Sequence, residues 1–259
     1  MKISVITPSI RPEGLEIVKK ALEAQTFDKN EFEWLICSPS PLPKRFTKLN
    51  YTWVDDDSEH GFWALNRSYN KLFRQAQGDL LVTLQDWIHI NPDGLQKFWD
   101  NYLQVGPKAL ISGVGDQYEG LDKWGKPEIK IWSDPRKTDK NGSFYECFPN
   151  DVEWNFAAFP RAAVFEAGGM DEQLDFLGFG GDQLQMGQRL DELGYKSYLD
   201  QTNESFTIRH DRKDYGGQLY WDENHVVLNG KYDKEIQRLK SEAKWPKLDY
   251  LLEEELTKP

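Results

Sequence analysis

Through the first 115 residues, short apolar runs alternate with stretches in which apolar residues return every three or four positions. Runs of the first kind, bounded by turn formers, predict buried strands, and the second kind predicts amphipathic helices. Lys2-Ile3-Ser4-Val5-Ile6-Thr7-Pro8-Ser9 is a strand running into a loop, followed by a helix over 13–25 with Leu15, Val18 and Leu22 on one face. A second strand over 32–37 ends in the proline-rich stretch Pro39, Pro41, Pro43, and a third over 51–54 ends in Asp55-Asp56-Asp57. A helix over 62–77 carries Leu65, Tyr69, Leu72 and Ala76 at helical spacing, and Gly78-Asp79-Leu80-Leu81-Val82-Thr83-Leu84-Gln85-Asp86-Trp87 is a fourth strand that closes on a carboxylate.

A helix over 93–105 and a strand over 109–114 follow; residues 116–150 show weak periodicity and are expected to form a long insertion or loop. Beyond it the pattern predicts a strand over 153–159, a short helix over 161–167, and a turn at Gly168-Gly169-Met170-Asp171-Glu172. Next comes a helix entered at Gly178-Phe179-Gly180-Gly181-Asp182, carrying Met186, Leu190 and Leu193, and stopped by Gly194. A last short strand spans 206–210, and a charged helical tail, broken at Pro246, spans 231–259.

This rhythm predicts an α/β fold with a mostly parallel, Rossmann-like central sheet flanked by helices. Neither G-x-G-x-x-G after the first strand nor G-x-x-x-x-G-K-[ST] anywhere is present, which argues against a dinucleotide oxidoreductase or a P-loop NTPase.

Composition narrows the partners. The chain has 259 residues, long enough for one large domain, and no apolar run reaches the length of a membrane span. Its apolar N-terminal run is too short for a signal peptide, and its two cysteines make neither a disulfide framework nor a zinc site, so a cytoplasmic protein is expected. A net charge of −11 argues against a general nucleic-acid binder. Ten tryptophans hint at carbohydrate, although most such rings serve the core.

In open α/β sheets ligands bind beyond the carboxyl ends of the strands, so Asp86 is a metal or ligand candidate; the alternative is an acid that only turns the loop before Asn91-Pro92. Gly178-Phe179-Gly180-Gly181-Asp182-Gln183, with Arg189-Leu190 and Gly194-Tyr195 behind it, resembles the W-G-G-E-D…R-L…G-Y segment of nucleotide-sugar glycosyltransferases. Gly168-Gly169-Met170-Asp171-Glu172 resembles their G-G-F-D-E, and Thr207-Ile208-Arg209-His210-Asp211-Arg212 resembles I-R-H-S-R of the β-1,4-galactosyltransferases. Asn66-Arg67-Ser68 and the 70–78 stretch resemble the helix before the D-x-D strand. In family order over residues 1–212, these motifs are similar to family-2-like enzymes of the GT-A fold, with a galactosyltransferase-like C-terminal half.

The resemblance implies one GT-A domain over 1–230: a nucleotide-sugar half at 1–115, the insertion at 116–150, an acceptor half at 151–212, and then the tail, a possible oligomer contact. It implies transfer of a sugar from a nucleotide-sugar, with UDP the expected nucleotide, to a hydroxyl of a glycan acceptor. The leaving diphosphate calls for a divalent cation, Mn²⁺ or Mg²⁺, which Asp86 and His210 would hold. Thr7, Pro8, Ser9, Arg11 and Arg67 would grip the donor together with Asp86, while Asp171, Glu172, Gly180, Gly181 and Gln183 would line the acceptor site. Asp182 would be the base of an inverting reaction, favoured over a plain N-cap by its glycine-rich context; His210 is favoured as a ligand over a surface or core-edge histidine, and Arg67 is equally an exposed helix arginine. Two positions depart from the pattern: Gln85 stands where D-x-D has its first acid, and Gln183 where the usual base stands. Asp182 then replaces that base, or the metal is held by fewer carboxylates, or catalysis is weakened. Two other readings stay open: a relative that binds nucleotide-sugar or glycan without turnover, and a transferase acting on a nucleic-acid base or a protein.

Overall fold

The computed structural model describes residues 1–9, 11–38, 51–55, 65–122, 126–138, 142–172 and 182–210. Its strands are β1 (Ile3–Pro8), β2 (Phe32–Ser38), β3 (Tyr51–Asp55), β4 (Leu80–Leu84), β5 (Ile88–Ile90), β6 (Ala109–Tyr118), β7 (Lys130–Trp132), β8 (Phe144–Cys147), β9 (Phe156–Pro160) and β10 (Lys196–Ile208). Its α-helices are α1 (Pro12–Glu23), α2 (Leu65–Gln75), α3 (Gly94–Val105), α4 (Arg161–Glu166) and α5 (Asp182–Glu192). All ten strands form one sheet in the order β3-β2-β1-β4-β9-β6-β10-β5, with β7 on β6 and β8 on β10. Pairing directions make β1, β2, β3, β4, β6 and β10 run the same way, while β5, β7, β8 and β9 oppose them. The central sheet is thus mostly parallel and flanked by helices, as the sequence rhythm predicts.

Side chains of a strand alternate between faces, and here both faces are covered. Ile3 and Val5 of β1 and Leu80, Val82 and Leu84 of β4 pack with Leu15, Val18 and Leu22 of α1 and with Leu95 and Phe98 of α3. Ile6, Leu81 and Phe159 sit in the opposite core with Leu72 and Phe73 of α2, Val164 of α4, and Met186 and Leu190 of α5. Two dry faces explain why these strands read as continuous apolar runs. At Gly78 a Cβ would lie 2.4 Å from the Ser4 nitrogen, so only glycine lets the chain enter β4 this close to β1.

The structure departs from the sequence expectation in the middle of the chain. The stretch over 116–150, expected to be loop, lengthens β6 to Tyr118 and supplies β7 and β8. Ion pairing replaces the apolar pattern there: Lys130 and Lys137 both pair with buried Asp116, and Arg136 is bidentate on buried Asp134. The short strand expected at 206–210 is the end of the 13-residue β10, the chain over 153–155 is turn, and β5 has no forewarning in the sequence. Residues 56–57 of the Asp55-Asp56-Asp57 run, Gly180, Gly181 and the 231–259 tail lie outside the described residues. No helix among the described residues is long and apolar enough to cross a membrane.

Candidate active site

β1 and β4 are parallel neighbours, so the turns at their carboxyl ends meet. β1 delivers Ser9 and Arg11, and β4 delivers Asp86 in the turn before β5. The end of β10 is tied to the same turn, because Ile208 N–H donates to the Trp87 carbonyl at 2.8 Å. His210 follows directly.

Asp86 is 4% exposed, and both of its carboxylate oxygens are engaged. Oδ2 accepts from Ser9 Oγ at 2.5 Å and from Arg11 Nε at 2.8 Å, while Oδ1 pairs with Arg11 Nη2. Arg11 Nη1 contacts His210 Nε2, and His210 Nδ1 lies 3.2 Å from the Ile208 carbonyl. A guanidinium offers only donors, so this pattern assigns His210 the neutral tautomer, with Nδ1–H donating to Ile208 and a lone pair on Nε2 facing Arg11. Burial pushes the Asp86 carboxyl above the ordinary aspartate range; the Arg11 guanidinium and the Ser9 hydroxyl oppose that rise.

Trp87 holds the far wall. Its φ of 62° lies in the left-handed region, uncommon for a bulky residue, and its indole stacks on the His210 ring at 5.1 Å. A Cβ at Gly14 would lie 2.4 Å from the indole, so the first turn of α1 is cut away to seat it.

Asp182 opens α5 and is 6% exposed. Its Oδ1 accepts from Gln183 N–H at 2.9 Å, and burial pushes its carboxyl up against the opposing bonds from Gln183 and the Asn66 side chain. Buried Tyr69 lies within electrostatic reach of both carboxylates, and its hydroxyl accepts from Gln85 Nε2 at 3.3 Å. Burial raises the Tyr69 hydroxyl, and the charges of Asp182 and Asp86 add to that rise.

The structure thus gathers Ser9, Arg11, Asp86 and His210, while Asp182 stands apart from that hydrogen-bonded cluster at the start of α5. Other expected residues stand elsewhere. The Thr7 hydroxyl is spent inside the sheet, donating to the Leu84 carbonyl at 2.7 Å and accepting from Trp34 Nε1 at 2.9 Å. Pro8 is the buried last residue of β1. Arg67 lines a cleft with Asn70, Lys71, Arg74 and Glu172, two residues along α2 from Tyr69 and so on nearly the opposite side of that helix. Asp171 accepts from Gln185 Nε2 at 3.2 Å and Glu172 from Asn70 Nδ2 at 3.2 Å, while Gln183 is half-buried beside Asp182. Tyr69, Gln85, Trp87 and Gly14 were not singled out as site residues. Tyr69 carries an ordinary core signal, and Trp87 is marked only by following Asp86.

A carboxylate and an imidazole nitrogen together suit Mn²⁺ better than Mg²⁺, which prefers oxygen ligands alone, and both aim their lone pairs at the Arg11 guanidinium. No group of three or more His, Cys, Asp or Glu gathers among the described residues.

No protein-family model matches the sequence, and no curated protein matches it. Solved structures do match. The mannosyltransferase PcManGT of Pyrobaculum calidifontis, in complex with GDP-Man and Mn²⁺, is similar at TM-score 0.64 and 14% identity, over 98% of this chain and 68% of that one. TarS 1-349 of S. aureus is similar at TM-score 0.59 and 14% identity, over 80% of this chain and 60% of that one; in complex with UDP-GlcNAc the figures are 0.57, 14%, 82% and 59%. The fold is GT-A-like. This chain spans under two thirds of TarS 1-349, and at 14% identity the likeness carries the fold alone.

Proposed function

We propose that this chain is a glycosyltransferase that moves a sugar from a nucleotide-sugar, a UDP-sugar first among them, to a hydroxyl of a glycan acceptor. One observation carries the reading. Ser9, Arg11, Asp86 and His210, from three separate strands, converge beyond the carboxyl ends of a mostly parallel sheet, where such sheets bind ligands. The PcManGT and TarS complexes, with GDP-Man and UDP-GlcNAc, support a nucleotide-sugar as the ligand.

In this reading residues 1–115 form the donor half, in which Arg11 presents hydrogen-bond donors to the diphosphate and Ser9, bonded to the Arg11 backbone N–H, holds the loop. The 151–212 half, galactosyltransferase-like in its Thr207-Ile208-Arg209-His210 segment, receives the acceptor at Asp171, Glu172 and Gln183. Asp86 and His210 are the residues that would hold a divalent cation, whose charge would offset that growing on the departing diphosphate. Asp182 takes the proton from the acceptor hydroxyl as that oxygen attacks the anomeric carbon, giving inversion. A carboxyl raised by burial is the better base, and Asn66 and Gln183 hold it in place.

The test is hydrolysis and binding of a panel of UDP- and GDP-sugars, with candidate glycans supplied as acceptors. Turnover of one donor supports the reading, and absence of both binding and turnover for every donor refutes it. Binding without turnover would instead favour a non-catalytic relative, the outcome to which Gln85 and Gln183 point.

A further inference from the structure

The position between Asp86 and His210 is built for a cation and already holds one. Arg11 meets both oxygens of Asp86 and the Nε2 of His210, the same lone pairs that a divalent metal would take. The arrangement has a physical reason. Asp86 is buried, and a buried carboxylate left without a counter-charge is strongly disfavoured. Arg11 supplies that counter-charge in this structure.

We propose that Arg11 is a placeholder cation that excludes divalent metal from Asp86 and His210 until a nucleoside diphosphate draws the guanidinium away. This rests on the transferase reading for the identity of the diphosphate, but not for the exclusion itself. The exchange keeps every charge paired. Arg11 trades a planar, bidentate carboxylate for phosphate oxygens, which suit the same fork, while Asp86 and His210 trade a guanidinium for the metal. Ser9 helps: its hydroxyl donates to Asp86, and its oxygen also accepts from the Arg11 backbone N–H at 2.9 Å, so the start of the Arg11 loop stays anchored while the side chain swings. No covalent step is involved. Because the coupling is an equilibrium one, it is reciprocal: diphosphate raises metal affinity by the factor by which metal raises diphosphate affinity.

The measurement is Mn²⁺ binding followed by the loss of the free-ion electron paramagnetic resonance signal, with wild-type protein, Arg11→Met and Arg11→Lys, first with no nucleotide and then with UDP or GDP. Circular dichroism checks that each variant is folded. Without nucleotide, Arg11→Met should bind Mn²⁺ at least tenfold more tightly than wild type, and Arg11→Lys should fall between them, because an ammonium cannot span the carboxylate and the imidazole together. Adding His210→Ala to Arg11→Met should abolish the gain. Equal Mn²⁺ affinity for wild type and Arg11→Met would overturn the proposal, and so would absence of Mn²⁺ binding in every protein under every condition. The two readings fail separately. Tighter Mn²⁺ in Arg11→Met with no nucleotide-sugar bound by any protein would keep the placeholder and sink the transferase. A nucleotide-sugar hydrolysed equally well in chelator, with no Mn²⁺ taken up by any protein, would do the reverse.

Discussion

At the head of α5, Asp182 is buried with few partners, and its carboxyl is raised by that burial. The raised value means that the folded chain holds the proton more tightly than the unfolded one. Asp182 therefore works against folding in full at pH above its folded pKa, and acidification from that value down to the ordinary aspartate value of the unfolded chain removes the cost. Asparagine keeps the size and serves equally well at a helix start. Asp182→Asn should therefore raise the melting temperature at pH 7 while lowering transfer by about 10²–10⁴-fold, the usual worth of a general base. Calorimetry and a donor-consumption assay read the two effects, and a variant that loses stability, or keeps full transfer, removes Asp182 from the role. The base works only when deprotonated, so the acid limb of kcat/KM should lie above the ordinary aspartate value of about 3.9. Gly14 gives a second test. Alanine normally gains about 1 kcal/mol over glycine inside a helix, yet here the new methyl would meet the Trp87 indole, and overpacking of this kind costs about 1–3 kcal/mol. Gly14→Ala should lower both stability and nucleotide affinity by moving Trp87 off His210, as denaturant titration and nucleotide binding would show.

At the scale of elements, legibility followed the physical origin of each strand. β1, β2, β4 and β9 are largely buried on both faces, so their sequences are mostly apolar and their existence is legible directly, with the start of β9 moved from 153 to 156. β7 has no buried residue and β8 is only partly buried; they are held by pairing with β6 and β10 and by the charged cluster around Asp116 and Asp134, none of which leaves an apolar period. The site divides in the same way. That Asp86, Arg11 and His210 stand at strand ends is legible in the sequence, because a carboxylate, a guanidinium and an imidazole there are conspicuous; that they meet comes from the fold. The Thr7 hydroxyl turns inward, to the Leu84 carbonyl and Trp34, through alternation along β1 and partners that are not visible from residue type. Arg67 was placed by motif order, whereas helical geometry sets it on the cleft shared with Glu172. The charged cluster makes a prediction of its own. Arg136 pairs with Asp134 and also donates to the Asp151 carbonyl at 2.6 Å and to Ser112 Oγ at 3.1 Å. Arg136→Ala should cost about 3–5 kcal/mol in denaturant unfolding, the usual penalty for stranding a buried charge. A cost below about 1 kcal/mol, the range of surface ion pairs, would show the cluster to be solvated.

Over the whole molecule, the net charge of −11 faces a donor that is itself an anion. The positive residues of the site act at short range, whereas the global field repels. Salt shortens the reach of that field, from about 30 Å at 0.01 M to about 8 Å at 0.15 M. Nucleotide association should therefore speed up as salt rises over this interval, as stopped-flow mixing would reveal; a steep slowing would mean that the local basic residues dominate the approach.

The stack of Trp87 on His210 turns the site into its own optical gauge. Imidazolium quenches indole emission more strongly than imidazole does, and an ion seated on Nε2 changes the same ring. Protonation or metal uptake at His210 should then appear as a change in the emission of Trp87. That signal is isolated by subtracting the spectrum of a Trp87→Phe protein from that of the native chain, so that the nine other tryptophans cancel.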